Sequence, residues 1–330
     1  MQTSYIYSVS RVNTLSQYLL TKTDIDRLLV ANPGADVHSA LKETYLGQNL
    51  VRVPNEDMSE AIELTLIDAK RLVHQIAPLG DMFRVLWVHY DIHNLRVFAK
   101  AKVKNLSFTE VASFVSQRGI YEPIHLYEAA EKGTLNSLQV GWEAQSVFNQ
   151  AVLLVQEGKM DQVDRVFDEL YFETSKRIAS NSKDAFITSY LVQVIDLFNL
   201  KTRLRVLSHS SIGDSDSFIS GGSIPIERMD TKEAVLTAFS RLGGAEFWRE
   251  AIADYVQTGN TTYLDVRSDE FLVTFTKEAS NDMFSSASLV LYYLLCRQAA
   301  ANIRTIVVGK NNGMSEDQIR INLRTAYVND

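Results

Sequence analysis

The chain is short of residues that break regular structure, with 5 prolines and 15 glycines in 330 positions against typical usage of roughly 5% and 7%. A sequence this poor in turn residues is not cut into many short strands, which argues against a β-sandwich or barrel. Every proline lies at or before Pro225, so the last 105 residues contain none. Cysteine is nearly absent as well. Cys296 stands alone, which excludes an intramolecular disulfide, and its apolar surroundings over 289–296 read as a small buried hydrophobe in a reducing compartment. Basic residues are outnumbered, 33 Lys and Arg against 40 Asp and Glu, for a net charge of −7. That balance argues against nucleic acid as the main partner, because neutralising phosphates requires a basic surface. Long apolar runs are missing too. The best stretch, near 289–295, meets Arg297, well short of the ~18–20 residues that a membrane span needs. The start, MQTSYIYSVSR, has no basic region leading into a hydrophobic run, so no signal peptide is expected. These absences describe a soluble, cytoplasmic protein that is free to dock on a membrane complex.

What is present is ordinary globular composition, 46% hydrophobic and 22% charged, in a chain longer than the ~250–300 residues one core usually organises. Apolar spacing of period 3.6 predicts an all-α protein. Helices are expected over 4–20, 36–46, 57–77, 81–104, 109–116, 122–132, 135–157, 160–181 and 184–208. Others follow over 231–241, 245–257, 265–279, 286–308 and 315–327. Asp57/Glu60, Ser107/Glu110 and Ser315/Gln318 have capping-box spacing. Gly133, Gly158, Gly243, Gly259 and Gly309 suit helix ends. The alternation over 49–53 is compatible with a strand but has no pairing partner.

An internal repeat organises this pattern. Asp91-Ile-His-Asn94-Leu95-Arg96 recurs as Asp196-Leu-Phe-Asn199-Leu200-Lys201, and more weakly as Ala299-Ala-Ala-Asn302-Ile303-Arg304. The asparagines are 105 and 103 residues apart, and Leu86, Leu191 and Leu294 each stand eight residues before one. Such a period divides the chain into helical units 1–115, 116–225 and 226–330. Apolar residues at −8 and +1 fall on opposite sides of a helix, so each repeat helix is expected to be the buried centre of its unit. A buried asparagine needs partners; its expected role is a structural pin whose amide is satisfied by a neighbouring helix or helix end. The base at +2 opens a cationic stripe in each copy: Arg96, Lys100, Lys102 and Lys104; Lys201, Arg203 and Arg205; Arg304 and Lys310. Helix C-termini favour cations through the macrodipole. A second reading gathers Lys100, Lys102, Lys104, Arg203, Arg205 and Lys310 on one rim that meets an acidic or carbonyl-rich partner.

Positive signs of catalysis are lacking. Gly309-Lys310 is followed by Asn311 and lacks the earlier glycine of a phosphate-binding loop. His89 and His93 share a helical face but read as a packed or solvated pair, since a zinc site needs further ligands. Glu122-Pro-Ile-His125 is half of a di-iron pattern without its second half, and no serine sits in a nucleophile elbow. No enzyme activity, cofactor or metal is therefore expected. A helical scaffold or adaptor is the competing reading, although its repeats would run ~20–50 residues; a helical enzyme with an unrecognised site is a third.

Together these residues resemble the C-subunit family of archaeal and bacterial A/V-type rotary ATPases, whose eukaryotic counterpart is the d subunit of the V-ATPase. Tyr5-Ile-Tyr7-Ser-Val-Ser-Arg11-Val12 is similar to that family's opening, and Leu41-Lys-Glu43-Thr44-Tyr45-Leu-Gly47 to an early helix end. Asp91 to Leu95 and Asp196 to Leu200 are similar to its Asp-x-x-Asn-Leu copies. Phe218-Ile-Ser-Gly221-Gly222 looks like its Gly-Gly turn, and Asn302-Ile-Arg304-Thr-Ile306 like its last copy. Ala299 departs from the pattern, where the other copies carry Asp. The resemblance implies a funnel of three similar units around a pseudo-threefold axis. It implies a non-catalytic socket between the D and F subunits of the central stalk and the membrane rotor ring of proteolipid subunits. Such a socket passes torque for ATP-coupled proton or sodium transport on the cytoplasmic face of the membrane.

Overall fold

The structure, a computed structural model, describes residues 5–138, 140–208, 218–226 and 229–324. Among these residues all regular structure is helical and no strand occurs, as the scarcity of breakers dictates. The chain groups into two compact units. The first contains Met1–Pro78, Val192–Asp214 and Gly222–Asp330, and the second Leu79–Leu191 with Ser215–Gly221. This division cuts the chain at other places than the repeat does.

The first unit opens with α1 (Ile6–Ser16), α2 (Lys22–Val30), α3 (Ala35–Lys42), the single turn α4 (Gly47–Leu50) and α5 (Met58–Ile76). Helix α2 escapes a search for Glu or Gln at the third helical position because its capping box carries aspartate. The Thr21 side chain accepts from Asp24 N at 3.2 Å and the Asp24 carboxylate accepts from Thr21 N at 2.9 Å. Asp57 caps α5 by accepting from Glu60 N at 2.8 Å. The alternation over 49–53 is helical turn, not strand.

The second unit begins with a 3-10 segment, Gly80–Leu86, and continues through α6 (Val88–Val103), α7 (Phe108–Val111), α8 (Pro123–Lys132), α9 (Ala144–Gln156) and α10 (Met160–Ser182). The single helix expected over 81–104 is thus two. Met82, Phe83, Val85 and Leu86 are all buried, and three residues per turn stacks 82 on 85 and 83 on 86 as two inward rows. The helix expected over 135–157 is also divided. Asn136 Oδ1 accepts from Gln145 N at 2.9 Å and Gln145 Oε1 from Leu135 N at 3.2 Å, so side-chain amides hold the break open. Helix α6 packs on α8, α9 and α10. Leu95, Phe98, Leu126, Phe148 and Phe167 are fully buried in one contiguous core. Burial of each such side chain contributes roughly 1.5–3 kcal/mol, so this packing outweighs the mediocre helix propensity of Asn94.

Helix α11 (Ala185–Ser208) follows, its residues from 192 onward belonging to the first unit. That unit is completed by α12 (Lys232–Phe239), α13 (Ala245–Thr258), α14 (Thr262–Ala279), α15 (Ala287–Asn311) and α16 (Glu316–Arg320). Helix α15 packs on α1, α5 and α14 and is buried over most of its surface, from Leu289 through Tyr293, Cys296 and Ile303 to Ile306. Gly309 lies inside this helix and does not end it. A Cβ there would stand 2.6 Å from the Ile319 side chain, so glycine is what lets α16 close on α15. Of the helix expected over 315–327, α16 spans Glu316–Arg320, and residues 325–330 lie outside the described residues.

Candidate functional site

The repeat residues converge on one local device. Asp91 and Asp196 are fully buried, and an ionised carboxylate tolerates that only when donors surround it. Asp91 accepts from the backbone N–H of Ile120 at 2.7 Å and of Tyr121 at 3.3 Å. Asp196 accepts from Ser223 N at 2.8 Å, Ile224 N at 3.0 Å and the Ser223 hydroxyl at 2.6 Å. In both copies a glycine precedes the donors and lies flat on the carboxylate. A Cβ on Gly119 would be 2.2 Å from Asp91 Oδ1, and one on Gly222 would be 2.4 Å from Asp196 Oδ1. The third copy has Ala299, fully buried, and the corresponding downstream segment lies outside the described residues.

Asparagine performs a second clamp. Asn94 donates from Nδ2 to Ser116 O at 2.9 Å and accepts on Oδ1 from Ser116 N at 2.8 Å. Asn302 does the same to Arg324, at 2.7 and 2.8 Å. Each reaches 22 residues downstream and grips an irregular stretch of backbone on both polar groups, rather than a helix or a helix end. Asn199 is buried at the equivalent place on α11. Ser116 and Arg324 were invisible to motif reading because their contribution is backbone, with no shared side chain.

The cations at +2 are ion-paired. Arg96 meets Asp168 on α10 at 2.9 Å and Asp164 at 3.3 Å, Lys201 meets Asp265 on α14 at 2.8 Å, and Arg304 meets Glu63 on α5 at 2.7 Å. These pairs follow a rule. Each repeat helix is tied to the helix that leads into the next repeat helix, and the third is tied to the helix leading into the first. A second tier runs in the same order. Lys102 pairs with Glu131 of α8 at 3.2 Å. Arg203 donates to Met229 O at 2.7 Å and lies 3.3 Å from Asp230, just before α12. Lys310 donates to the Leu29 and Ala31 carbonyls at the end of α2. Of the six residues expected on a basic rim, Lys102, Arg203 and Lys310 are therefore occupied inside the chain. Lys100, Lys104 and Arg205 are exposed, and no ion pair forms at them among the described residues.

Among the described residues no three His, Cys, Asp or Glu side chains are placed to hold a metal, and His93 Nε2 lies 3.1 Å from Phe114 O. Burial pushes the Cys296 thiol up to about 12 and the neighbouring Tyr292 phenol far above its usual range, so both stay protonated at neutral pH and neither is an activated nucleophile. Among the described residues no helix is long and apolar enough to cross a membrane.

Comparison with known proteins gives this arrangement its context. The chain is 20% identical to the C subunit of the A-type ATP synthase of Methanocaldococcus jannaschii, over 96% of this chain and 85% of that protein. It is 24% identical to the C subunit of the A-type ATP synthase of Thermococcus kodakarensis, over 96% and 90%. Against the C subunit of the V-type sodium ATPase of Enterococcus hirae it is 22% identical, over 76% and 77%. Residues 8–321 match the family model of the ATP synthase (C/AC39) subunit. That match spans all three repeat helices and the paired carboxylates of α5, α10 and α14, and the chain therefore belongs to the ATP synthase (C/AC39) subunit family of rotary ATPases.

Proposed function

We propose that this protein is the non-catalytic socket of the central rotor, joining the D and F subunits of the central stalk to the membrane ring of proteolipid subunits. It transmits torque between them on the cytoplasmic face of the membrane, in support of ATP-coupled proton or sodium transport. In this reading residues 1–115, 116–225 and 226–330 are three similar units about a pseudo-threefold axis. The observation that carries the proposal is the cyclic order of the ion pairs, in which Arg96, Lys201 and Arg304 each tie one repeat to the next and the last returns to the first. A part that passes torque needs such ties, since a chain of units joined only in sequence yields at its open end. No cofactor enters, and the exposed cations Lys100, Lys104 and Arg205 are assigned to partner contact.

Co-purification from the native membrane tests this. The protein should be recovered with the rotor ring and the stalk under conditions that preserve ATPase activity. Its absence from that complex would sink the assignment and revive the helical-adaptor reading.

A further inference from the structure

A cleft of about 410 Å³ opens where the end of α11 meets the turn between α13 and α14, and every lining residue belongs to the first compact unit. Lys201 and Arg205 lie one turn apart on the same face of α11. Lys201 is bound to Asp265 at 2.8 Å, whereas no ion pair or side-chain hydrogen bond forms at the exposed Arg205 among the described residues. The cleft therefore holds two cations and one carboxylate, and that carboxylate is already matched.

The facing wall adds donors. Asn260 Oδ1 accepts from Thr262 N at 2.8 Å and from the Thr262 hydroxyl at 2.7 Å, which fixes the amide and leaves Nδ2 to donate. Thr261, at the N-cap of the 18-residue α14, makes no side-chain cap, and Asp265 stands in the first turn of that helix. Two of the lining hydroxyls are already engaged. Ser208 donates to Leu204 O at 2.7 Å, which leaves Tyr255 to donate to the Ser208 oxygen at 2.7 Å. A cavity that presents the Asn260 Nδ2 donor and a guanidinium with no ion pair among the described residues recognises an anion.

We infer that this cleft seats a side-chain carboxylate from an acidic segment of a partner protein, a site that deepens the partner-contact reading above and rests on it. The Arg205 fork matches a planar carboxylate with two parallel N–H bonds, a geometry lysine does not reproduce. A single guanidinium with no ion pair among the described residues balances one negative charge, which favours carboxylate over a phosphate dianion. With the chain at −7 overall, the attraction is local and weakens with added salt.

Isothermal titration of the full chain with three probes tests this: a capped decapeptide of alternating Glu and Ala, its Gln counterpart, and inorganic phosphate. The Glu peptide should bind, with the Gln peptide and phosphate at least tenfold weaker. Arg205→Gln should lose at least tenfold for the Glu peptide, Arg205→Lys should fall between, and Asn260→Ala should lose a few fold. Arg249→Gln, which removes an exposed charge elsewhere, should bind as the parent does. Equal binding by Arg205→Gln, or by the Gln peptide, overturns the site. Tighter binding of phosphate than of the Glu peptide overturns the carboxylate assignment. Loss of peptide binding in a chain that still co-purifies with the ATPase refutes the cleft and leaves the proposed function standing; the converse refutes the function alone.

Discussion

Arg304 on α15 donates to Glu63 on α5 at 2.7 Å, across 241 residues of chain. The contact joins the third repeat helix to the helix that leads into the first. Both side chains are partly exposed, 41% and 34%, so solvent screens the pair and a coupling of about 0.3–1 kcal/mol is expected from a double-mutant cycle. Arg304→Glu should lower the urea midpoint, and adding Glu63→Arg should restore most of it at low salt but not in 1 M salt. A cycle with zero coupling at low salt would show that the pair does not tie the two helices.

The asparagine clamps should be worth more, because fully buried amides satisfy half-buried backbone groups with two hydrogen bonds each. Asn94→Ala and Asn302→Ala each leave one N–H and one C=O of the gripped residue without their amide partner, at a cost of about 2 kcal/mol. Asn302→Asp keeps the shape and the acceptor but loses the donor to Arg324 O, and should destabilise at least as much at neutral pH. Urea unfolding of the three variants reads this directly. Changes within 0.5 kcal/mol would mean the amides are incidental.

Gly119 and Asp91 should behave as one element. Adding a methyl where the nearest atom would be 2.2 Å away forces the carboxylate off its seat, so Gly119→Ala should cost about 1–3 kcal/mol. The same substitution in an Asp91→Ala background should cost much less, since the obstructing carboxylate is gone. Additive effects would refute the seat. Gly222→Ala against Asp196→Ala is the parallel test in the second copy.

Alkaline pH should expose the buried thiol. Cys296 titrates near 12 in the folded chain against an ordinary 9.0, so between those values the folded protein holds a proton that the unfolded chain has released. Stability is then unaffected below pH 9 and falls as pH rises from 9 toward 12, by up to about 1.4 kcal/mol per pH unit. Urea midpoints measured from pH 8 to pH 10.5 should drop more steeply for the parent than for Cys296→Ala. Parallel slopes would place the thiol in contact with solvent.

Most of the helices were legible because their apolar spacing and caps are local properties: Met160–Ser182, Ala185–Ser208 and Ala245–Thr258 fall within a residue or two of expectation. The errors have tertiary causes. Residues 81–86 have the composition of a helix, but burial of four side chains in two rows selects 3-10 winding. Gly309 looks like a helix end, yet it serves the approach of Ile319. The basic stripes were visible as charge, while their occupancy was not, because Lys102, Arg203 and Lys310 find partners 26 or more residues away along the chain.

By itself the sequence determined the helical class, the three Asn-centred copies and the resemblance to a rotary ATPase component, since few breakers, period 3.6 and a repeat near 104 residues are all one-dimensional facts. Tertiary structure alone decided what the copies are for. An asparagine or aspartate records in its identity that it needs hydrogen-bond partners, but not which ones. Apart from the Ser223 hydroxyl, those partners here are backbone groups of Ser116, Ile120, Ser223 and Arg324, whose N–H and C=O are common to nearly every residue and leave no trace in sequence. The cyclic order of Arg96, Lys201 and Arg304 likewise exists only once the helices are packed, because a salt bridge is fixed by distance in space and not along the chain.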